Sequence, residues 1–387
     1  MKKIILSLAT ISSILCAGKL QAQIPVFDHV IIVMEENYSY AQIIGSKYAP
    51  TITALSKTTY TANFTKAYAN THPSEPNYIA LFSGSEQGVT TDLTGPAPKA
   101  PFNDCNMGSS LIAAGYTFIG YAEDQPAIGW TNSNSGNYAT KHCPWINWMV
   151  GATADSIPVN SDLSYTSFPD SLHYSSLPTV SWIIPNLADD MHNPVSSNTG
   201  ISNGDTWFKA NIMPLIRWAV KHNTLVITSW DEDDGTHSNN IPVLFSGANV
   251  KGGNYSTPKF NHYGVLRTIE TMYKLPYCDS SSLVSDITGI WTVATGITNE
   301  TEITNDISIW PVPARGQLNM NITTNSTDKA HLAICDITGR VIKEQDIEVK
   351  TGNNSMNISI SNFANGIYFV SVKGGSFEVC KKFVVQN

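Results

Sequence analysis

Three short apolar runs in the sequence are each followed by a pair of polar residues that can bind a metal ion. The pairs are Glu36 with Asn37, Asp190 with His192, and Asp231 with Glu232. Carboxylates and amides offer hard oxygen ligands to a divalent cation, and histidine adds a nitrogen ligand. A single pair is unremarkable, but three of them predict metal-assisted chemistry if the fold brings the pairs together.

A serine and a further histidine lie beside predicted helices and can join these pairs. Ser74 precedes a helix predicted over 78–82, and His262 lies at the start of one predicted over 261–274. Free N–H groups at a helix start bind anions such as phosphate. A nearby cation lowers the pKa of a serine hydroxyl, which makes Ser74 a candidate nucleophile. The alternative is that Ser74 only caps its helix.

Strands and helices alternate along the first three quarters of the chain. Val30–Met34 is continuously apolar, which is typical of a strand buried on both faces. Further strands are predicted at 60–68, 116–121, 179–184, 225–230 and 241–245, and helices at 50–57, 78–82, 107–114, 204–222 and 261–274. Pro214 should kink or split the fourth helix. The alternation predicts an α/β fold with a mostly parallel sheet flanked by helices, whose strands share one carboxyl edge.

Two segments differ from this pattern in composition and in the spacing of their apolar residues. Residues 125–178 are rich in Asn, Ser, Gly, Pro and aromatic residues, and we interpret them as a long insertion over the site. Beyond about Thr295, short alternating strands predict an antiparallel β-sandwich of roughly 80 residues. The predicted organisation is a signal peptide over 1–22, a catalytic domain over 23–295, a linker over 296–306 and the sandwich over 307–387.

The beginning of the chain has the features of a secretory signal. Lys2 and Lys3 precede an apolar stretch over 4–17, and Leu20–Ala22 fits a cleavage site. A lipoprotein signal around Cys16 is the alternative. Because no other apolar stretch reaches the roughly 18 residues of a membrane span, we expect no transmembrane anchor and a secreted or cell-surface protein that passes through the periplasm.

Charge and cysteine content narrow the possibilities further. The net charge is −8, with 23 Lys and Arg against 31 Asp and Glu, so a nucleic-acid partner is not expected. Export permits disulfides. Among the cysteines that remain after cleavage we predict the pairs Cys105–Cys143 and Cys335–Cys380, with Cys278 free.

Five motifs, in order, resemble the bacterial phosphoesterase family of the alkaline-phosphatase superfamily, which includes acid phosphatases, phosphatidylinositol-phosphate phosphatases and non-specific phospholipases C. The motifs are HVIIVMEENYS at 29–39, THPSEPNYIALFSG at 71–84, IPNLADDMH at 184–192, WDEDDG at 230–235 and NHYGVLRTIE at 261–270. The resemblance implies that Glu36, Asn37, Asp231 and Glu232 bind a metal and that Ser74 is the nucleophile, bridging metal and phosphorus. It also implies that Asp190, His192 and His262 bind a second metal or contact phosphate.

The tail resembles the C-terminal sorting domain of the type IX secretion system. The resemblance rests on IWPVPARGQLNM at 309–320, ICDITGRVI at 334–342 and NGIYFVSVK at 365–373, although Val312 departs from the usual Asn. The alternative is a small adhesive or carbohydrate-binding sandwich.

Together these features predict a secreted, metal-dependent phosphomonoesterase that works through a phosphoserine intermediate. The alternatives are a phospholipase C acting on phospholipids and a catalytically inactive surface-binding protein. The oxygen-rich ligands favour Ca²⁺, Mg²⁺ or Mn²⁺, and Zn²⁺ or Fe would suit the set with histidine. Of the remaining polar residues, His72 is a candidate substrate contact, whereas Asp233, Asp234 and His237 are interpreted as turn residues.

Overall fold

The computed structural model describes residues 24–149, 153–194, 197–292, 306–324, 327–336, 340–374 and 378–386. The chain separates into two compact units, Met1–Thr295 and Gly296–Asn387. The predicted signal peptide and nearly all of the predicted linker lie outside the described residues.

The first unit is built on an eight-stranded sheet. Its strands are β1 His29–Glu35, β2 Thr61–Tyr68, β3 Phe118–Ala122, β4 Asp162–Ser164, β5 Val180–Ile184, β6 Thr224–Trp230, β7 Asn240–Gly247 and β8 Gly253–Tyr255. They lie in the order β4-β3-β5-β1-β6-β7-β2-β8, and only β7 runs against the others. The predicted α/β class with a mostly parallel sheet is confirmed.

Burial explains why β1 lies at the centre of this sheet. Every residue of Val30–Met34 is fully buried, since helices and loops cover both faces of the sheet. The apolar run therefore gains burial on both sides of the strand, as parallel sheets require. Its two neighbours in the sheet are β5 and β6, which precede the other two polar pairs.

Within the described residues, six α-helices accompany the sheet. They are α1 Tyr40–Ile43, α2 Pro50–Leu55, α3 Ser74–Ser83, α4 Met107–Ala113, α5 Asn198–Ala219 and α6 His262–Tyr273. The predicted split at Pro214 is wrong, because α5 continues through it as one helix of 22 residues, and the alternative, a kink, stays a prediction. Proline removes one backbone N–H, and the packed apolar face, which includes Phe208, Ile212 and Leu215, holds the helix together across that position.

Helix α3 begins at Ser74, four residues earlier than predicted, and stops at Gly84. Gly84 has a φ of +75°, which glycine adopts without a steric penalty. A Cβ at this position would lie 1.9 Å from the carbonyl oxygen of Cys278, so the close approach also requires glycine.

The predicted disulfide pairing is wrong. Cys105 pairs with Cys278, and Cys143, Cys335 and Cys380 are free. In the second unit, the strand with Phe369 and Ser371 lies between the strands of the two cysteines. Cys335 is opposite Phe369 on one side of it, and Cys380 is opposite Ser371 on the other side. The strands of the two cysteines lie two strand spacings apart, about 9–10 Å, which already exceeds the roughly 7 Å between Cα atoms that a disulfide can span. Cys143 is fully buried in the first unit and free, since Cys105 is bonded to Cys278.

The second unit is all-β. Its strands are β9 Asp306–Arg315, β10 Gln317–Thr324, β11 Asp328–Asp336, β12 Val341–Val349, β13 Gly352–Ser359, β14 Gly366–Lys373 and β15 Glu378–Val385. Antiparallel pairing gives the orders β12-β11-β14-β15 and β9-β10-β13, and a single parallel pair, Val385 with Ala314, connects the two. In β14 the buried Tyr368, Val370 and Val372 alternate with more exposed residues. The predicted antiparallel sandwich is confirmed.

No helix within the described residues is both long and apolar enough to cross a membrane.

Candidate active site

The three polar pairs lie together because the strands that precede them are parallel neighbours. The backbone N–H of Glu36 donates to the carbonyl of Asp190 (2.8 Å), and the N–H of Asp231 donates to the carbonyl of Glu35 (3.0 Å). We call the group of Glu36, Asn37, Asp190, Asp231 and Glu232 the carboxylate edge. Its assembly follows from the sheet order β5-β1-β6.

Ser74 faces this edge from the first residue of α3. Its Oγ lies 3.2 Å from Glu36 Oε2 and 3.2 Å from Glu232 Oε1. The side chain of Asn37 donates to Glu36 Oε2 (3.0 Å), and the Asn37 N–H donates to Asp231 Oδ1 (3.0 Å). Three carboxylates, one amide and one hydroxyl thus converge on one small volume.

The charges of this group are poorly compensated by the protein itself. Burial, and then the charge of Glu36, raise the pKa of Asp231 well above its ordinary value. The same two causes raise the pKa of Glu232 to about 8. Burial also disfavours the charged form of Glu36, but the neighbouring His142 and Lys141 outweigh burial and lower its pKa.

This donor set fits a divalent cation. Asp231 Oδ2 is buried and accepts no hydrogen bond within the described part of the chain. A buried carboxylate oxygen without a donor is costly unless a cation contacts it. The converging carboxylate and hydroxyl oxygens are hard ligands, the kind that Mg²⁺, Mn²⁺ and Ca²⁺ take.

The second predicted set is arranged differently. Asp190 accepts the His192 N–H at Oδ1 (2.8 Å), and His192 Nδ1 lies 3.1 Å from Asn193 Oδ1. His262 Nε2 lies 2.7 Å from the Asp231 carbonyl, so this nitrogen is the protonated donor. Burial lowers the pKa of His262 to about 4, which keeps the ring neutral and leaves Nδ1 as an acceptor. His262 therefore supports the loop that contains Asp231.

Two functional candidates were missed by the sequence reasoning. His142 Nε2 lies 2.8 Å from Glu36 Oε1, and its Nδ1 lies 3.6 Å from Asp190 Oδ2. Tyr78 donates to Glu36 Oε1 (2.7 Å) and stacks on the His142 ring at 4.9 Å. Tyr78 follows Ser74 by four residues on α3, a spacing that places both on one helix face. No comparable signal marked His142, which lies in a 3₁₀ turn of the predicted insertion.

Lys141 and Asp92 were also missed. Lys141 Nζ lies 3.5 Å from Ser74 Oγ and 2.7 Å from Asp92 Oδ2. Burial favours the neutral amine, but Glu36 and Asp92 outweigh it and raise the pKa of Lys141, so the side chain is a cation.

At the rim, His72 lies against the edge, with Nδ1 2.6 Å from Glu232 Oε2 and 44% of its side chain exposed. Asp233, Asp234 and His237 hold ligand atoms within 4.8 Å of one another. However, the Asp233 carboxylate already accepts the N–H groups of Gly235, His237 and Asn239. That bonding is typical of a turn.

Comparison with known proteins identifies the family of the chain. Residues 49–276 match the Phosphoesterase family, and the chain belongs to that family. It is a hydrolase of phosphoester bonds. Residues 308–386 match the secretion system C-terminal sorting domain, which indicates a secreted or cell-surface protein.

Two relatives and one solved structure illustrate the similarity. A phosphatidylinositol-3-phosphatase of Mycobacterium tuberculosis is 43% identical over 274 residues, 71% of this chain and 86% of that protein. An acid phosphatase of Aspergillus fumigatus is 31% identical over 226 residues, which are 55% of this chain and only 48% of the relative's length. A Vibrio parahaemolyticus protein of the alkaline phosphatase superfamily has a TM-score of 0.48 at 9% identity, covering 92% of this chain and 85% of its own.

Proposed function

We propose that the first unit is a metal-dependent phosphomonoesterase in which Ser74 forms a phosphoserine intermediate. The observation that carries this proposal is the position of Ser74 Oγ, 3.2 Å from each of two buried carboxylates at the start of a ten-residue helix. A serine that only capped its helix would not need acidic neighbours from two different strands.

Glu36, Asn37, Ser74, Asp231 and Glu232 would hold the cation, with Mg²⁺, Mn²⁺ or Ca²⁺ as the candidates. Bound there, the cation would lower the pKa of the serine hydroxyl and neutralise charge on the phosphoryl group. Asp190 and His192, with His142 beside Asp190, would form a weaker second site for Zn²⁺ or Fe, or contact phosphate.

The residues of the chain divide the remaining tasks. Ser74 Oγ attacks phosphorus in line with the leaving oxygen, and water later hydrolyses the phosphoserine. Tyr78 and His142 contact Glu36 Oε1 and keep that carboxylate turned so that its Oε2 faces Ser74. His262 holds the backbone of Asp231 through Nε2 and has Nδ1 left for a substrate contact.

A monoester is the proposed substrate class. The name of the mycobacterial relative suggests a phosphorylated inositol lipid as one candidate, and simple phosphate monoesters are another. The predicted alternative, a phospholipase C, would require faster turnover of phosphatidylcholine than of any monoester, and parallel assays of the two would separate the functions.

The test is replacement of the nucleophile. Ser74→Ala should fold normally and lose turnover of p-nitrophenyl phosphate by about three orders of magnitude or more, since the residual rate comes from binding alone. Ser83→Ala, at the other end of the same helix, is the matched control and should keep its turnover. Near-normal activity in Ser74→Ala would show that this serine is not the nucleophile.

A further inference from the structure

The start of α3 offers fewer N–H groups to a phosphate than an ordinary helix start does. Pro73 and Pro76 have no N–H, and the Glu75 N–H donates to Asp92 Oδ1 (3.0 Å). A helix start that binds phosphate usually does so through these first groups. The phosphoryl oxygens of a substrate at Ser74 therefore need another positive partner.

Lys141 is placed to be that partner. Its side chain is only 12% exposed, and Nζ lies 3.5 Å from Ser74 Oγ. In the described part of the chain, no other lysine or arginine lies within hydrogen-bonding distance of Ser74 Oγ. A group attached to Ser74 Oγ would come within reach of this ammonium, and cations aimed at transferring phosphoryl groups stabilise the charge that develops there.

Asp92 holds Lys141 in this position. One carboxylate oxygen contacts Lys141 Nζ (2.7 Å), and the other accepts the Glu75 N–H. Glu75 in turn accepts the Leu93 N–H (2.6 Å), which ties the loop with Asp92 to the first turn of α3. The hydrogen bond from the Glu75 N–H to Asp92 makes that N–H unavailable to phosphate. The same bond helps to fix Asp92, which in turn positions Lys141.

We propose that Lys141 binds a phosphoryl oxygen of the substrate, that Asp92 is its positioning residue, and that together they select dianionic phosphate monoesters over monoanionic diesters. The proposal rests on the proposed function and specifies its substrate class. The physical reason is charge. A monoester presents an additional anionic oxygen to the ammonium, whereas a diester has an ester group in place of that oxygen.

The experiment compares Lys141→Met, Lys141→Arg and Asp92→Asn with the intact, metal-loaded protein. kcat/KM is measured with p-nitrophenyl phosphate and with bis(p-nitrophenyl) phosphate, and the affinity for inorganic phosphate is measured by calorimetry. Lys209→Met, which removes an exposed lysine from α5, is the control and should match the wild-type protein.

Lys141→Met should lower kcat/KM for the monoester on the order of 10²-fold, as removal of a single charge-stabilising donor does, and lower the diester value far less. Phosphate affinity should fall with the monoester value. Lys141→Arg should recover part of the lost monoester kcat/KM, because the guanidinium has the same charge as the ammonium but a different geometry. Asp92→Asn should shift the monoester-to-diester ratio in the same direction by a smaller factor.

Equal losses on both esters with unchanged phosphate affinity would overturn the proposal and leave Lys141 a structural residue. If diester turnover falls below detection, the phosphate affinity decides alone. A wild-type protein that hydrolyses the diester but no monoester would refute the proposed monoesterase function, and the selectivity with it. A monoesterase whose Lys141→Met variant keeps its selectivity would refute this inference only.

Discussion

Two regions of the first unit bury carboxyl groups in opposite ways. At the carboxylate edge, Asp231 has one oxygen that accepts a backbone N–H and one that accepts nothing in the described part of the chain. At the C-terminal end of α6, where Glu270 contacts Cys278 and Ser281 of the following segment, both oxygens of Glu270 accept hydrogen bonds; we call these three residues the corner. One oxygen accepts the Cys278 N–H (2.8 Å) and the other accepts the Ser281 hydroxyl (2.6 Å).

We interpret the difference as that between a structural carboxyl group and one that is open to a ligand. Burial raises the pKa at both places, so burial alone does not identify the site. The candidate site is distinguished by a buried carboxylate oxygen that accepts no hydrogen bond in the described part of the chain, together with the like charges that crowd around Ser74. A protein tolerates such a cluster at some cost in stability when the missing positive charge comes from a bound cation.

The largest expected effect comes from Asp231→Asn, which removes one charge from the carboxylate edge without changing its shape. The variant should lose the metal of the oxygen-rich site and nearly all turnover, by about 10³-fold or more. Metal content by elemental analysis and kcat on a monoester measure the two effects.

The same variant should be more stable than the wild-type protein when both are stripped of metal with a chelator, because one repulsive buried charge is gone. The melting temperatures of the stripped proteins provide this check. A metal content equal to that of the wild-type protein would mean that Asp231 is not a ligand.

Glu270→Gln makes the same isosteric change at the corner and should affect stability only, with a dependence on pH. Burial raises the folded-state pKa of Glu270 from 4.5 to about 7. The stabilising neutral carboxyl is therefore fully present below about pH 4.5 and is lost as the pH rises through about 7. Relative to the variant, wild-type stability should fall over that window by on the order of 1–3 kcal/mol.

Urea unfolding at several pH values measures this trend, and turnover of the variant should match that of the wild-type protein. A stability difference that did not change with pH would show that Glu270 titrates normally.

The smallest effect on turnover is expected from removal of the second unit. The two units have separate hydrophobic cores, one ending at Trp291 and the other beginning at Ile307, and every proposed ligand lies in the first. A chain ending near Thr295 should turn over substrate at the normal rate in vitro but accumulate in the periplasm of its host. Fractionation of the cells tests the delivery, and normal secretion would refute the sorting role.

The amino-acid sequence by itself determined the order of the elements and the residues at the strand ends. It also determined the change near Thr295 from alternating strands and helices to short strands alone. These features are local, because an apolar run such as Val30–Met34 favours burial in a strand wherever it lies. The carboxylate edge was predictable for the same reason, since parallel neighbouring strands bring their carboxyl ends together and Glu36, Asp190 and Asp231 each follow one.

Only the tertiary structure decided the partners that meet across long sequence distances. Cys278 pairs with Cys105 rather than remaining free, and His142 and Lys141 reach Glu36 and Ser74 from a 3₁₀ turn that no periodicity marks. The path of an irregular loop depends on the sum of its packing contacts, such as the burial of Trp145 and Trp148, and not on a local pattern. For this reason the strand ends alone predicted the proposed metal ligands, whereas the lysine proposed to select the substrate could be found only in the folded chain.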